Sequence, residues 1–455
     1  MLLRAQFFLY ALLILALSII CTSCTKYLDK KPLKSQVLPE RLEDLQAILD
    51  LNARMNEQGL DVTELASDNI YISDADVASV PEIDRLNYLW DKEAMDLSSW
   101  SRPYQGVYFS NFVLEALVDI ARTSANAEQY DHVKAAALFY RAFAFFELAQ
   151  VYCSPYAPAT LGSPGIVLRN TAAIQANSVR STVEQTYTQI TTDLATAAMM
   201  LPAQVAFSTR PCAAAAHGLL ARVYLSMRDY PSAYAQADTC LQMQHALIDY
   251  NNLLPVSAPA IPAFNAETIF YNHSLVRMQG LFPPYAKIDS LLYQSYDDND
   301  LRKELFFAGN DDGSYAFKGS YASNYWDPTV FDGIATDEMF LIRAECSART
   351  GNTVEALQDL NSLLVNRYRH GTYVPHSASD ASEALTNILR ERRKELIYRG
   401  QRWTDIRRLN AEGAGIVPTR KVNGKEYTLP SEDPRWIMLI PEEIISATGM
   451  AQNPR

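Results

Sequence analysis

Protein chemistry needs groups that titrate, ligate metals or offer flat apolar faces, and this sequence supplies these three kinds unevenly. Its six histidines include no HExxH and no i, i+4 pair, so no zinc-protease helix is written in it. GxSxG, the P-loop and GxGxxG are missing as well, and Gly162-Ser163-Pro164-Gly165 lacks the spacing of a nucleophile elbow. The run Asp297-Asp298-Asn299-Asp300 invites calcium, yet with Asp297 at loop position one, Arg302 and Ala308 stand where an EF-hand requires Gly and Glu. Glycosidase carboxylate pairs are assembled from distant positions, so the presence of 52 acidic residues decides nothing. Cys153, Cys212, Cys240 and Cys346 lie far apart in apolar stretches and read as small core residues, not as a disulfide framework or a zinc site. The expectation is a binding protein with no catalytic residue, no cofactor and no recognisable metal motif, an irregular calcium site at 297–300 being left open.

Flat faces are what the chain offers in quantity, with aromatics at 11% of residues. A ligand rich in hydroxyls needs such faces for its rings and amide, carboxylate or guanidinium groups for its oxygens. Two loops combine them. One is Asp68-Asn69-Ile70-Tyr71 with Trp90, and Asp68, Asn69, Tyr71 and Trp90 are its candidate ligand contacts. The other is an insertion whose candidates are Tyr285, Tyr321, Tyr325 and Trp326. For any single ring, packing is the competing use, because buried aromatics commonly fill cores.

The basic stretch from Leu389 to Arg408 tempts a nucleic-acid reading, but Glu391 and Glu395 are interleaved with its arginines at helical spacing. A formal net charge of −12 is a poor match for a polyphosphate. A charged helix held by ion pairs and by Trp403 is the better reading, and no nucleic-acid partner is expected.

Export comes from the N-terminus. Arg4 precedes an apolar run from Phe7 to Ile20, shorter than the roughly 20 residues that span a bilayer, and Cys21-Thr22-Ser23-Cys24 follows. This is a signal peptide, residues 1–23, with small residues before an acylation site at Cys24. Residues 24–40 then form a lipidated tether, and 41–455 the body. That body exceeds the roughly 250–300 residues at which single cores stop growing, so sub-lobes or two domains are expected.

Helical elements must position the loops. Residues 131–152 are apolar almost all round, the pattern of a helix buried among others. Pro211 to Leu241 reads as helix, turn at Arg228-Asp229-Tyr230-Pro231, and helix, with proline suited to a first turn. Residues 336–364 repeat this around Gly351-Asn352, and helices over 182–201 and 380–399 extend the series. Ala221 then matches Ala344 and Ala233 matches Ala356, the twelve-residue spacing at which tetratricopeptide repeats place small residues. The fold class expected is mainly α, a tetratricopeptide-like helical-repeat scaffold over about 106–243 and 336–409. A loop-rich second lobe comes from insertions 60–105, 244–335 and 410–455.

Several segments together resemble one family, the SusD/RagB-like outer-membrane lipoproteins of Bacteroidota nutrient uptake. They are the Cys24 to Pro32 start, the Trp100, Tyr104 and Asn111 spacing, the helix from Arg141, Gly165-Ile-Val-Leu, and Arg180 to Tyr187. Ile388 to Arg408 is similar to the family's ILxERRxELxxEGxRWxDLRR, departing at Arg399 and Gln401, and Leu439-Ile-Pro441 and Asn453-Pro454 complete the order. The resemblance implies a lipoprotein on the outer face of the outer membrane, facing the exterior. It would cap a TonB-dependent, SusC-like transporter and deliver oligosaccharide to it, or peptide as in RagB-like members; a glycoside hydrolase is the more distant alternative. Family members with known sites often place binding residues in the segment before the Trp100 helix.

Overall fold

The computed structural model describes residues 39–256, 259–274, 278–322 and 329–455; Cys24, Tyr325 and Trp326 lie outside the described residues. Its principal helices are α1 (Leu42–Leu49), α2 (Leu97–Ala116), α3 (Ala127–Tyr152), α4 (Val183–Met200), α5 (Ala213–Met227), α6 (Tyr230–Met243), α7 (Thr336–Arg349), α8 (Thr353–Leu364), α9 (Ala381–Glu395) and α10 (Gln401–Asn410). From α2 to α8 each helix packs on the next, and α9 closes on α7 and α8. This is a helical-repeat scaffold.

The local causes are visible in the residues. α3 buries Val133 and everything from Ala135 to Tyr152, so it needs neighbours on all sides, and α2 and α4 supply two of them. Thr182 opens α4 with a capping box, its hydroxyl accepting from the Gln185 amide while the Gln185 side chain reaches back, which satisfies two orphan donors at once. Arg228 turns left-handed at φ 64° to end α5, and Asp229 caps α6 by accepting from Ser232 N. Gly351 takes φ 87°, a conformation open to glycine without steric cost, and α8 follows. Ala221, Ala233, Ala344 and Ala356 are wholly buried, as close helix approach demands. The four cysteines Cys153, Cys212, Cys240 and Cys346 are buried free thiols.

α9 stops at Glu395, short of the expected 399, because Tyr398 and Gly400 adopt left-handed backbone at φ 55° and 66°. The chain restarts at once as α10. Arg407 and Arg408 of α10 and Arg392 of α9 are buried rather than solvated: Arg392 bonds Asp405 at 2.9 Å, and Arg408 grips Glu345 at 2.6 and 2.8 Å. Trp403 is fully covered.

Short strands pair in the segments between and after the helix groups, always antiparallel and two at a time. β1 (Ile70–Ile72) meets β5 (Ala286–Ile288), β2 (Pro164–Val167) meets β3 (Arg180–Thr182), and β4 (Thr268–Phe270) meets β8 (Ile334–Ala335). β6 (Phe307–Gly309) and β7 (Tyr315–Phe317), and β9 (Thr419–Val422) and β10 (Lys425–Thr428), complete the set. All of these elements belong to one unit, Leu42–Arg455. Its main core joins α3 and α5 to the aromatic lobe, and a smaller cluster lies among α7, α8 and α9.

Two carboxylates of the acidic run at 297–300, Asp298 and Asp300, are spent on ion pairs, and Asp297 accepts from the Asn299 amide. Asp300 chelates Arg302 at 2.7 and 2.9 Å and meets Lys394 at 3.1 Å, while Asp298 pairs with Lys303 at 2.7 Å. Among the described residues no group of three His, Cys, Asp or Glu side chains is placed to hold a metal ion.

Candidate functional site

Strand alternation sets the geometry of the first loop. In β1, Ile70 and Ile72 point into the core at 3% and 2% exposure, so Tyr71 between them must face the other way. Its partner across the ladder is Lys287. Tyr71 lines a groove of about 470 Å³ together with Asp68, Asp289, Leu291, Arg393, Thr419 and Lys421.

α9 and α10 hold the polar residues of this groove in place. Arg402 forks onto Asp68 at 2.6 and 2.8 Å; Arg393 donates to the Asp68 carbonyl at 2.7 Å and to Asn69 Oδ1 at 3.2 Å. Burial alone pushes the Asp68 carboxyl up, but the charges of Arg402 and Arg393 outweigh it and hold the group at about 2. Asn69 is wholly buried and donates to Glu64 Oε1 at 2.9 Å. Burial raises Glu64 to about 7 against the opposing bonds from Asn69 and the Gly400 amide. Asp68 and Asn69 thus act first on the protein, by fixing Arg393, which lines the groove, and Arg402, which does not.

Trp90 sits elsewhere than a ligand face requires. It is 4% exposed, its indole N–H is donated to Ala66 O at 2.9 Å, and the Arg420 guanidinium covers its ring at 4.5 Å and that of Tyr88 at 3.6 Å. Arg420 is buried, which brings it down to about 10, and its Nε and Nη1 have no hydrogen-bond partner.

In the insertion, Tyr321 is likewise interior, at 2% exposure. Its hydroxyl donates to Glu267 at 2.5 Å and meets that of Tyr250 at 3.0 Å, and Arg399 stacks over its ring at 4.7 Å. Tyr285 is half-buried against the main core. The structure therefore brings Asp68 and Tyr71 to one open groove, puts Asn69 and Trp90 beneath its walls, leaves Tyr321 to packing, and sets Tyr285, half-buried, outside that groove. Sequence reasoning missed Arg393, Arg402 and Arg420. The first two stood inside the basic stretch, where interleaved charge signalled ion pairs but not which carboxylate would receive them.

With this geometry in hand, comparison is informative. Residues 26–225 match a family model described as starch-binding associating with outer membrane, and residues 336–448 match the SusD family. The chain belongs to the SusD family. No curated protein matches it. Solved structures share the SusD fold along nearly the whole chain. A SusD superfamily protein from Bacteroides thetaiotaomicron is 20% identical over 91% of this chain and 100% of its own, with a TM-score of 0.73. A SusD-like carbohydrate binding protein from Bacteroides vulgatus is 18% identical over 90% and 97%, at 0.68. A laminarin binding SusD-like protein is 20% identical over 90% and 98%, at 0.64. The family is associated with the outer membrane, and among the described residues no helix is long and apolar enough to cross one.

Proposed function

We propose that this chain is a lipoprotein, anchored through Cys24 at the exterior face of the outer membrane. There it binds oligosaccharide without cleaving it and delivers it to a TonB-dependent, SusC-like transporter. One observation carries the reading: the match of residues 26–225 to a family described as starch-binding associating with outer membrane, on a chain whose SusD fold runs nearly end to end. The names of the carbohydrate-binding and laminarin-binding neighbours support the same ligand class. The Tyr71 groove offers a ring face beside the Asp68, Arg393 and Lys421 groups that address hydroxyls.

Binding without turnover agrees with where the carboxyls of raised proton affinity lie. A general acid must reach the bond it protonates, yet Glu64, Glu147, Glu267 and Asp332, all raised first of all by burial, are each less than a tenth exposed.

Native gels containing soluble starch or laminarin, with a reducing-sugar assay alongside, test this. Retardation without sustained release of reducing ends is expected. Sustained release would make the protein a hydrolase, and calorimetric binding of peptides with no glycan response would move it to the peptide-binding class.

A further inference from the structure

A second surface, remote in sequence from the Tyr71 loop, carries the features of a ring-binding site. Phe207 and Phe264 are 68% and 57% exposed, and they line one concave space of about 590 Å³ with Asp50, Asn52, Arg210 and Thr268. Single exposed hydrophobics need no explanation. This pair does, for three reasons.

First, Phe264 holds a left-handed backbone at φ 52°. For a bulky residue this is a strained conformation, of the kind that persists where surrounding structure enforces it and that clusters at functional sites. Second, the Phe264 ring and the backbone beside Phe207 are held in place. The Phe264 ring lies on that of Tyr271, with centroids 4.4 Å apart and planes 32° from parallel. The chain after Phe207 is tied from below, with Ser208 O accepting from Tyr271 N at 2.7 Å and Thr209 O from Asn56 Nδ2 at 2.9 Å and Tyr140 Oη at 2.7 Å. A rigid face loses little entropy when a ligand settles on it. Third, the rim is polar. Arg210 and Asp50 form a two-pronged pair at 2.8 and 2.6 Å and keep outward lone pairs and N–H groups beside the rings, with the Asn52 amide adjacent. Six of the nine residues lining the space are polar, which suits a hydroxylated ring better than an apolar protein segment.

We propose that the Phe207–Phe264 shelf is a carbohydrate-binding surface, separate from the Tyr71 groove, on which the apolar C–H face of a hexopyranose ring stacks while Asp50, Asn52 and Arg210 hydrogen-bond its hydroxyls. This rests on the reading of the protein as a glycan binder and gives that function a second point of contact along an extended chain. Two contacts joined through one ligand strengthen each other by effective concentration.

The test uses the full chain in mild detergent, with soluble starch and laminarin as probes, and compares wild type with Phe207→Ala, Phe264→Gly and the double variant. Phe264→Gly removes ring and strain together, and Phe207 is exposed enough that its truncation leaves the fold intact. Melting temperatures within about 4 °C of wild type and a loss of affinity of about tenfold or more for at least one polysaccharide are expected. If Phe264→Gly unfolds, Phe207→Ala alone carries the test. If wild type binds and the folded variants bind equally well, the shelf proposal is overturned while the glycan reading stands. If wild type binds neither polysaccharide, the glycan reading fails and the shelf falls with it.

Discussion

At Trp90 the indole is closed in by Arg420, while at Tyr71, one strand away, the phenol stays half open. The two residues should separate cleanly on mutation. Trp90→Ala removes a buried ring and strips Arg420 of one of its two stacking partners, a loss of about 3–5 kcal/mol in urea unfolding, whether or not ligand is present. Tyr71→Ala should change stability by less than about 1 kcal/mol and weaken glycan retardation; the reverse pattern would return Trp90 to the ligand and Tyr71 to the fold. Glu64 allows a sharper check. Because burial raises its folded pKa to about 7, the folded state binds more protons than the unfolded one between about pH 4.3 and 7. Stability contributed by this group is therefore present at low pH and lost as pH rises through the folded value. In Glu64→Gln that part of the slope should vanish, measured as melting temperature from pH 5 to 8, and an unchanged slope would refute the assignment. The sequence exposed the aromatic loops at this scale but not which rings are covered, because the cover for Trp90 is an arginine from the far end of the chain.

Elements were more legible where their cause is local. The all-round apolar run of α3, the Thr182 cap and the alanines facing each other in the two helix pairs are written within a few turns of the helices they create. β1 and β5, by contrast, are three residues each and join Ile70 to Ile288, and no periodicity survives in so short a run. The end of α9 was hidden for a related reason: the break depends on left-handed backbone at Tyr398, a residue with no propensity for it. Gly218 tests how tightly the elements fit. A methyl group there would stand 2.5 Å from Ile334 Cγ2 and 3.3 Å from Met339 Sδ, at the meeting of α5, β8 and α7. Gly218→Ala should therefore destabilise the protein by about 1–3 kcal/mol, despite alanine's better helix propensity. A gain in melting temperature would show that β8 yields.

On the scale of the molecule, the loop-rich lobe is fastened to the helical scaffold by charge as well as by apolar packing. Arg302, wholly buried, binds Asp300 from its own segment and Glu391 and Glu395 from α9 at 2.6 and 2.8 Å. Arg367 then joins Glu395 at 2.7 Å to Glu267 at 2.8 Å, and Tyr321 donates to Glu267. This network is why Asp300, the last residue of the run that looks like a cation loop in the sequence, and Tyr321, which looks like a ligand contact, are interior: Asp300 pairs with Arg302 beside it and with Lys394 of α9, and Tyr321 donates to Glu267, which Arg367 holds. A buried pair adds little compared with a well-packed apolar substitute, but removing one partner strands the other. Arg302→Ala should accordingly cost about 3–5 kcal/mol. Its pH dependence distinguishes stranded charge from lost packing. In the wild type, burial pushes the Asp300 and Glu391 carboxyls up, and Arg302, with Lys394, more than offsets it and holds them low. Without the guanidinium their proton affinity rises, so acidification from pH 7 to 5 protonates them in the folded variant before it does so in the unfolded chain, and the variant recovers stability over that interval. The gap in urea midpoint between wild type and variant should narrow at the lower pH; a gap that stays constant would assign the loss to the cavity left by the side chain.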